Sequence, residues 1–267
     1  MILKRVKVLI LTLLIATNFP VFAQAQTFDS VSHIHSVKAF ESKVLMGTHE
    51  GLFLHQGQNK MKPIGADPFD VMGLDSDGSI LYASGHPSKG SKLPNPVGLL
   101  KSVDGGVTWS SISLLGKVDF HFLEVKGAEI YGASALDGQL MYSSNSGKKW
   151  VMVGKNSFSD IAILSGKPKQ VFAVEEGKLF RSNNAFKTRA LVKTEFFVNA
   201  IEISGRTLWA ASGKSIYNSA NSGKSWSMVN SFESNVGEIS ISKDLVVAVV
   251  GNDIFTSIDQ GKRFKKS

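Results

Sequence analysis

Six histidines punctuate the 267-residue chain, and all of them lie in its first half: His33, His35, His49, His55, His86 and His121. Imidazole is the commonest nitrogen ligand for zinc, copper, iron and nickel. Asp70 and Asp119 sit among them, each two residues before a further donor, Met72 and His121. A carboxylate in such company either ligates an ion or fixes the tautomer of an imidazole that does. A thioether such as Met72 tilts the choice toward copper. The chemistry these residues suggest is a transition-metal site, copper or zinc, drawing on His33, His35, His49, His86, His121, Met72 and Asp70. Two other uses compete with it. The same groups would suit the lining of a wet channel, bonded to water and carbonyls. Asp70 and Asp119 would also serve as candidate catalytic carboxyls, because glycoside hydrolysis needs only two such groups at the correct separation.

Residues so far apart in sequence need a framework that gathers them, and the chain repeats itself. Ser102-Val-Asp-Gly-Gly-Val-Thr-Trp109 recurs as Ser143-Ser-Asn-Ser-Gly-Lys-Lys-Trp150, as Ser219-Ala-Asn-Ser-Gly-Lys-Ser-Trp226 and as Ser257-Ile-Asp-Gln-Gly-Lys-Arg-Phe264. Ser182-Asn-Asn-Ala-Phe-Lys-Thr188 is a worn copy, and Leu52-Phe53 before His55 marks a sixth unit whose motif has eroded. The unit starts at 55, 102, 143, 182, 219 and 257 are spaced by 47, 41, 39, 37 and 38 residues. A period in this range signals a repeat architecture. Within the motif, Asp or Asn suits a turn that bonds its own amides, Gly admits positive φ, and the closing aromatic anchors the hairpin. Upstream of each motif lie β-rich runs such as Lys43–Met46, Glu129–Tyr131 and Leu245–Val247, preceded by others such as Ile34–Val37, Val71–Leu74 and Phe120–Val125. Four strands per unit of ~40 residues predict a propeller blade. The expected fold is all-β, a six-bladed β-propeller over residues 26–267. Its short, polar last strand, Lys262–Ser267, leaves the N-terminus of the mature chain to help close the ring.

The motif resembles the Asp-box (BNR) repeat of sialidase-like propellers. His33-Ile-His35, Thr48-His-Glu-Gly-Leu52, Asp70-Val-Met-Gly-Leu74, Tyr82-Ala-Ser-Gly-His-Pro87, Asn95-Pro-Val-Gly-Leu99 and Asp119-Phe-His121 resemble a group of small exported bacterial propellers that usually carry a glycosylhydrolase label. That label implies a fold and identifies no substrate. In such blades the starts of the innermost strands and the turns after the second strands open on one face, with the Asp boxes on the other. The resemblance therefore implies that His33, His35, His49, His86 and His121 share a face, and that His55 looks the other way. It also aligns His33-Ile-His35, Asp70-Val-Met72, Asp119-Phe-His121 and Asp160-Ile-Ala162. Strand alternation then puts His35, Met72 and His121 in one layer, with His33, Asp70, Asp119 and Asp160 in the layer above.

Composition excludes much else. Residues 1–25 read as a secretory signal peptide: Lys4, Arg5 and Lys7, an apolar run from Val8 to Ala16, and a small-residue cleavage site after Ala23 or Ala25. The apolar run is about half of the ~18–20 residues that span a bilayer, so no transmembrane segment is expected in the mature chain. The protein is expected to be exported, periplasmic or secreted. Hydrophobic content of 43% with 17 Phe supports a packed core, and the absence of cysteine excludes disulfides, thiolate sites and a cysteine nucleophile. Removing the leader's three cations lowers the net charge from +8 to +5, and the remaining lysines are scattered, so no nucleic-acid partner is expected.

Sialidase chemistry is disfavoured. It needs an arginine triad, and beyond the leader the only arginines are Arg181, Arg189, Arg206 and Arg263, two of them in or beside Asp boxes. Glu50, Asp137, Asp160 and Glu175 supplement Asp70 and Asp119 as carboxylates near the histidine-bearing face, so a carbohydrate substrate stays open. A monomer is expected, whose possible partners are a metal ion, a carbohydrate, or an envelope protein bound through loop aromatics such as Phe69, Phe158, Phe196 and Phe197.

Overall fold

The computed structural model describes residues 26–66, 68–89, 91–164 and 170–267; the signal-peptide expectation lies outside them. Six antiparallel sheets follow one another along the chain, each a consecutive up-and-down run of strands. Their innermost strands are Ile34–Phe40, Phe69–Asp77, Phe120–Lys126, Asp160–Ile163, Ala200–Ser204 and Val236–Ser242, and residues from all six line one central channel. This is a six-bladed β-propeller. Apart from one 3-10 turn at Phe28–Ser30, the described residues contain no helix, and none of them forms a helix able to cross a membrane.

Apolar side chains sit mainly between blades. Phe40, Leu45 and Leu52 of blade 1 pack on Phe69, Val71, Leu74 and Leu81 of blade 2. Blade 6 meets blade 1 in the same way, through Leu245, Val247 and Ile254 against Val37, Val44, Met46 and Phe53. Closure differs from the expectation. Blade 6 supplies all four of its own strands, and Gln26–Thr27 instead adds a fifth strand outside Lys60–Ile64 of blade 1. Side chains of blade 6 complete the join: Glu238, Ser240 and Ser242 accept hydrogen bonds from the amides of Val37, Ala39 and Glu41 at 3.4, 3.1 and 2.9 Å. Those amides face across a blade boundary where no backbone partner exists, so a polar side chain is required there.

The repeated turn has a common construction in blades 2 to 6. In blade 5 the buried Ser219 hydroxyl accepts the amide of Gly223 at 2.9 Å, and Asn221 Oδ1 accepts that of Ser225 at 2.9 Å. The worn copy in blade 4 keeps both bonds, from Phe186 to Ser182 at 2.9 Å and from Thr188 to Asn184 at 3.0 Å. Phe186 even adopts a left-handed φ of 60°, where the other copies place Gly at 78–91°. The motif's first residue, serine, is thus as necessary as its Asp or Asn. Ser219→Ala orphans the Gly223 amide and should cost about 1–2 kcal/mol in urea unfolding; a change below a few tenths would show the turn to be held by its ring contacts alone.

Each blade sends a charged residue into the channel, Lys38, Asp75, Glu124, Asp160, Glu202 or Glu238, and Lys126 lines its far end beside Asp75. Lys38 Nζ lies 3.7 Å from Asp75 Oδ1. Burial pushes the carboxyls up, Asp160 to about 6 and Glu202 and Glu238 to about 7, with Lys38 opposing the rise. Burial also opposes the charge on Lys38, but the surrounding carboxylates outweigh it and raise its pKa.

Candidate functional site

The histidine-bearing end of the channel is built on three irregular strands. In blades 1, 2 and 3 the innermost strand slips register between Ile34 and Ser36, between Val71 and Gly73, and between Phe120 and Phe122. The residue left over at each bulge is His35, Met72 or His121. A bulge releases one residue from the ladder and redirects its side chain. All three line the channel, as the alignment implied. The innermost strands of blades 4 and 5 run without a slip and that of blade 6 slips at Gly237; none of the three carries a histidine.

Around those bulges the structure brings together two separate clusters rather than one shared layer. In the first, Asp70 of blade 2 meets two imidazoles of blade 1, with His35 Nε2 at 3.2 Å from Oδ1 and His49 Nδ1 at 3.0 Å from Oδ2. In the second, Asp119 Oδ2 of blade 3 is flanked by His86 Nε2 of blade 2 at 3.0 Å and by its own strand's His121 Nε2 at 2.7 Å. In each cluster one potential ligand atom from each residue lies within 4.8 Å of the others. Asp70 and His86 are cross-strand partners, so the clusters adjoin through blade 2.

Two details bear on what the clusters do. His35 Nε2 and Asp70 Oδ1 are buried and close, yet neither has a hydrogen-bond partner, and Asp119 Oδ1 is likewise unpartnered. Buried polar atoms are seldom left so. Two ligands of a tetrahedral ion at ~2.0 Å stand about 3.3 Å apart, close to the His35–Asp70 separation of 3.2 Å. In the second cluster His86 Nδ1 lies 3.0 Å from Asn95 Oδ1. That contact is a hydrogen bond when Nδ1 carries the proton, which leaves Nε2 with a lone pair facing Asp119. This is the outer-shell device by which a ligating imidazole is oriented.

Burial pushes the Asp70 carboxyl up and the His35 imidazole down; the mutual attraction of the pair and the charge of His49 modify both shifts without reversing them. The pocket thus disfavours an uncompensated charge on either group. A divalent cation would relieve that penalty for the carboxylate and use the neutral imidazole as it stands.

Other expected participants fall elsewhere. His33 is exposed just before its strand, its ring 6.3 Å from that of His35 and 6.1 Å from that of His49, and it belongs to neither three-residue cluster. Asp160 does not join Asp70 and Asp119: its carboxylate accepts the amides of Ile161 at 2.9 Å and Ile201 at 2.7 Å, bracing blades 4 and 5. His55 is buried beside Phe28, 3.0 Å from Ser267 Oγ, at the join of the chain ends. Glu50 is held by Ser32, Glu175 by Arg189, and Asp137 by the amide of Gln139.

Two supporting residues lie in motifs quoted above but were given no role there. The role of Asn95 shows itself only through its distance to His86. Gly85 has φ +149°, and a Cβ built on it would stand 1.9 Å from the carbonyl oxygen of Asp70. Gly85→Ala must therefore push the Asp70 backbone away. It should destabilise the protein by about 3 kcal/mol or more and dislodge the first cluster, a loss readable by thermal melting.

No protein-family model matches the sequence, and no curated protein matches it. Solved structures share its architecture. A structure described as YCF48 bound to D1 peptide is 16% identical, with TM-score 0.53 over 91% of this chain and 84% of that one. The GH74 enzyme of Niastella koreensis is 14% identical, TM-score 0.56, over 87% and 45%. PorZ, a surface component of the type-IX secretion system of Porphyromonas gingivalis, is 14% identical, TM-score 0.56, over 91% and 34%. The chain spans less than half of the latter two. At these identities the likeness is one of fold.

Proposed function

We propose that this is an exported Asp-box propeller that binds a transition metal, zinc or copper, at the mouth of its channel, using histidine and aspartate side chains of blades 1 to 3. The single observation that carries this reading is the His35–Asp70 contact: two buried ligand atoms at a metal-like separation, hydrogen-bonded to nothing. Glycoside hydrolysis takes second place because both candidate carboxylates are flanked by imidazole pairs. A sugar's leaving oxygen would have to displace those pairs. Binding of an envelope protein through the same face has one observation in its favour. Ile34, Leu115, Leu136 and Phe197 are exposed on strand starts and loops at this end, with Phe197 66% accessible, and the YCF48 neighbour was solved with a peptide.

Elemental analysis after exposure to zinc and to copper, followed by dialysis, tests the metal reading. Near-stoichiometric metal is expected in the parent, and none in a His35→Ala, His121→Ala double variant with an unchanged circular dichroism spectrum. Equal, substoichiometric metal in both proteins would overturn it.

A further inference from the structure

The two clusters differ in how many ligands each can close around one ion. Three imidazoles bound through nitrogen to a tetrahedral ion at ~2.0 Å place their ring centres about 5 Å apart. The rings of His35 and His49 are 5.7 Å apart, and His33 stands 6.3 and 6.1 Å from them. The three thus form a triangle roughly 1 Å wider than a bound set. The backbone beneath them is anchored. The carbonyl of His33 accepts the amide of His49 at 3.2 Å, and Glu50 holds both the amide and the hydroxyl of Ser32, at 3.1 and 2.8 Å. What remains free is the exposed side chain of His33, whose rotation about χ1 and χ2 covers the missing distance.

Around Asp119 no further imidazole is in reserve, and the neighbouring thioether of Met72 suits copper(I) rather than zinc or cobalt(II). His55, the one histidine left over, is spent at the chain ends. The bulge residue of the neighbouring strand is Met72, where blades 1 and 3 carry His35 and His121. His86 and His121, with side chains 37% and 44% accessible, and His49, at 54%, all reach solvent, so it is the number of imidazoles and not exposure that separates the two clusters.

We propose, resting on the metal reading above, that the clusters form two unequal sites. His33, His35, His49 and Asp70 close a saturated four-ligand site that clamps blade 1 to blade 2. His86, His121 and Asp119 form a three-ligand site whose remaining position takes an exchangeable water, hydroxide or small anion. Closed sites are the structural type, and sites with an open position are the reactive type. Any ligand exchange or Lewis-acid chemistry at this face then belongs to the Asp119 site.

Cobalt(II) titration of the purified protein, read by visible absorption and followed by azide, tests the inequality. Two equivalents should bind, and azide should perturb the spectrum of only one. His33→Ala, a change at an exposed position that leaves the fold intact, should weaken one equivalent by roughly 10–100-fold and make it azide-responsive. His86→Ala should remove the equivalent that responded in the parent. Two bound ions that both respond to azide, or a His33→Ala protein with unchanged affinity and spectrum, would overturn the proposal while leaving metal binding intact. Failure to bind cobalt at all would remove the underlying reading together with it.

Discussion

Replacing Lys38 with methionine should destabilise the propeller by about 3 kcal/mol at pH 8, and by much less at pH 5. Lys38 faces Asp75, Glu124, Asp160, Glu202 and Glu238, and Asp75 also feels Lys126. Truncating one partner of a buried ionic set leaves uncompensated charge behind, a loss that typically runs to 3–5 kcal/mol. The partial exposure of the Lys38 side chain, 17%, argues for the lower end. In a chain of this size about 3 kcal/mol corresponds to a fall of ~6–12 °C in Tm.

The pH dependence follows from the direction of the shifts. Burial raises Asp160 to about 6, and Glu202 and Glu238 to about 7, above the ordinary 3.8 and 4.5. Through that interval the folded protein holds more protons than the unfolded chain. Stability is therefore greatest below the ordinary carboxyl values and declines as pH rises through about 7. The parent should accordingly lose stability steadily between pH 5 and pH 8. In the variant the acids lose their counter-charge, and protonation at pH 5 substitutes for it. Urea unfolding at the two pH values, with a chelator present to remove metal effects, gives the answer. An equal deficit at both would mean that Lys38 contributes packing alone.

Lys38 and its partners each lie on an inner strand, among apolar neighbours, but Phe69–Asp77 and Phe120–Lys126 carry further charges that hide them. What could not be read was that the six converge on one axis, because that depends on ring closure. The blades themselves were plain from the spacing of the serine-led motifs. The gathering of His35, His49, His86 and His121 beside Asp70 and Asp119 followed from placing those residues on strand starts and loops of adjacent blades. Strand alternation put His35, Met72 and His121 in the channel but could not foresee that blade 4 lacks the bulge of blades 1 to 3. It set Asp160 beside Asp70 and Asp119, whereas the straight strand of blade 4 turns that carboxylate to the amides of Ile161 and Ile201. It also merged two clusters into one ring, because period-two reasoning cannot see a residue released from register. The N-terminal strand was misplaced for a different reason: two residues, Gln26–Thr27, pair with blade 1, too short a segment for any pattern to declare its partner.

The second large effect concerns Asp70. Asp70→Asn should leave the metal-free protein as stable as the parent, or slightly more so, and yet weaken metal binding at its cluster by at least 100-fold. Both halves come from burial. The carboxyl is held above its ordinary range chiefly because the site is desolvated, so exchanging it for a neutral amide of the same shape removes a charge the apo fold does not favour. The ion needs that charge. With an amide oxygen in its place, the first cluster offers one anionic ligand fewer and has no other carboxylate within the group. A ligand that binds only the folded state stabilises it by about 4 kcal/mol at 1,000 times its Kd, or roughly 8–16 °C in Tm for a chain of this length. Thermal melts with and without excess zinc should therefore show a large metal-dependent rise in the parent and a much smaller one in Asp70→Asn, from apo melts that coincide. A variant that melts several degrees lower without metal would assign Asp70 to the framework, bracing His35 and His49 rather than sharing an ion with them.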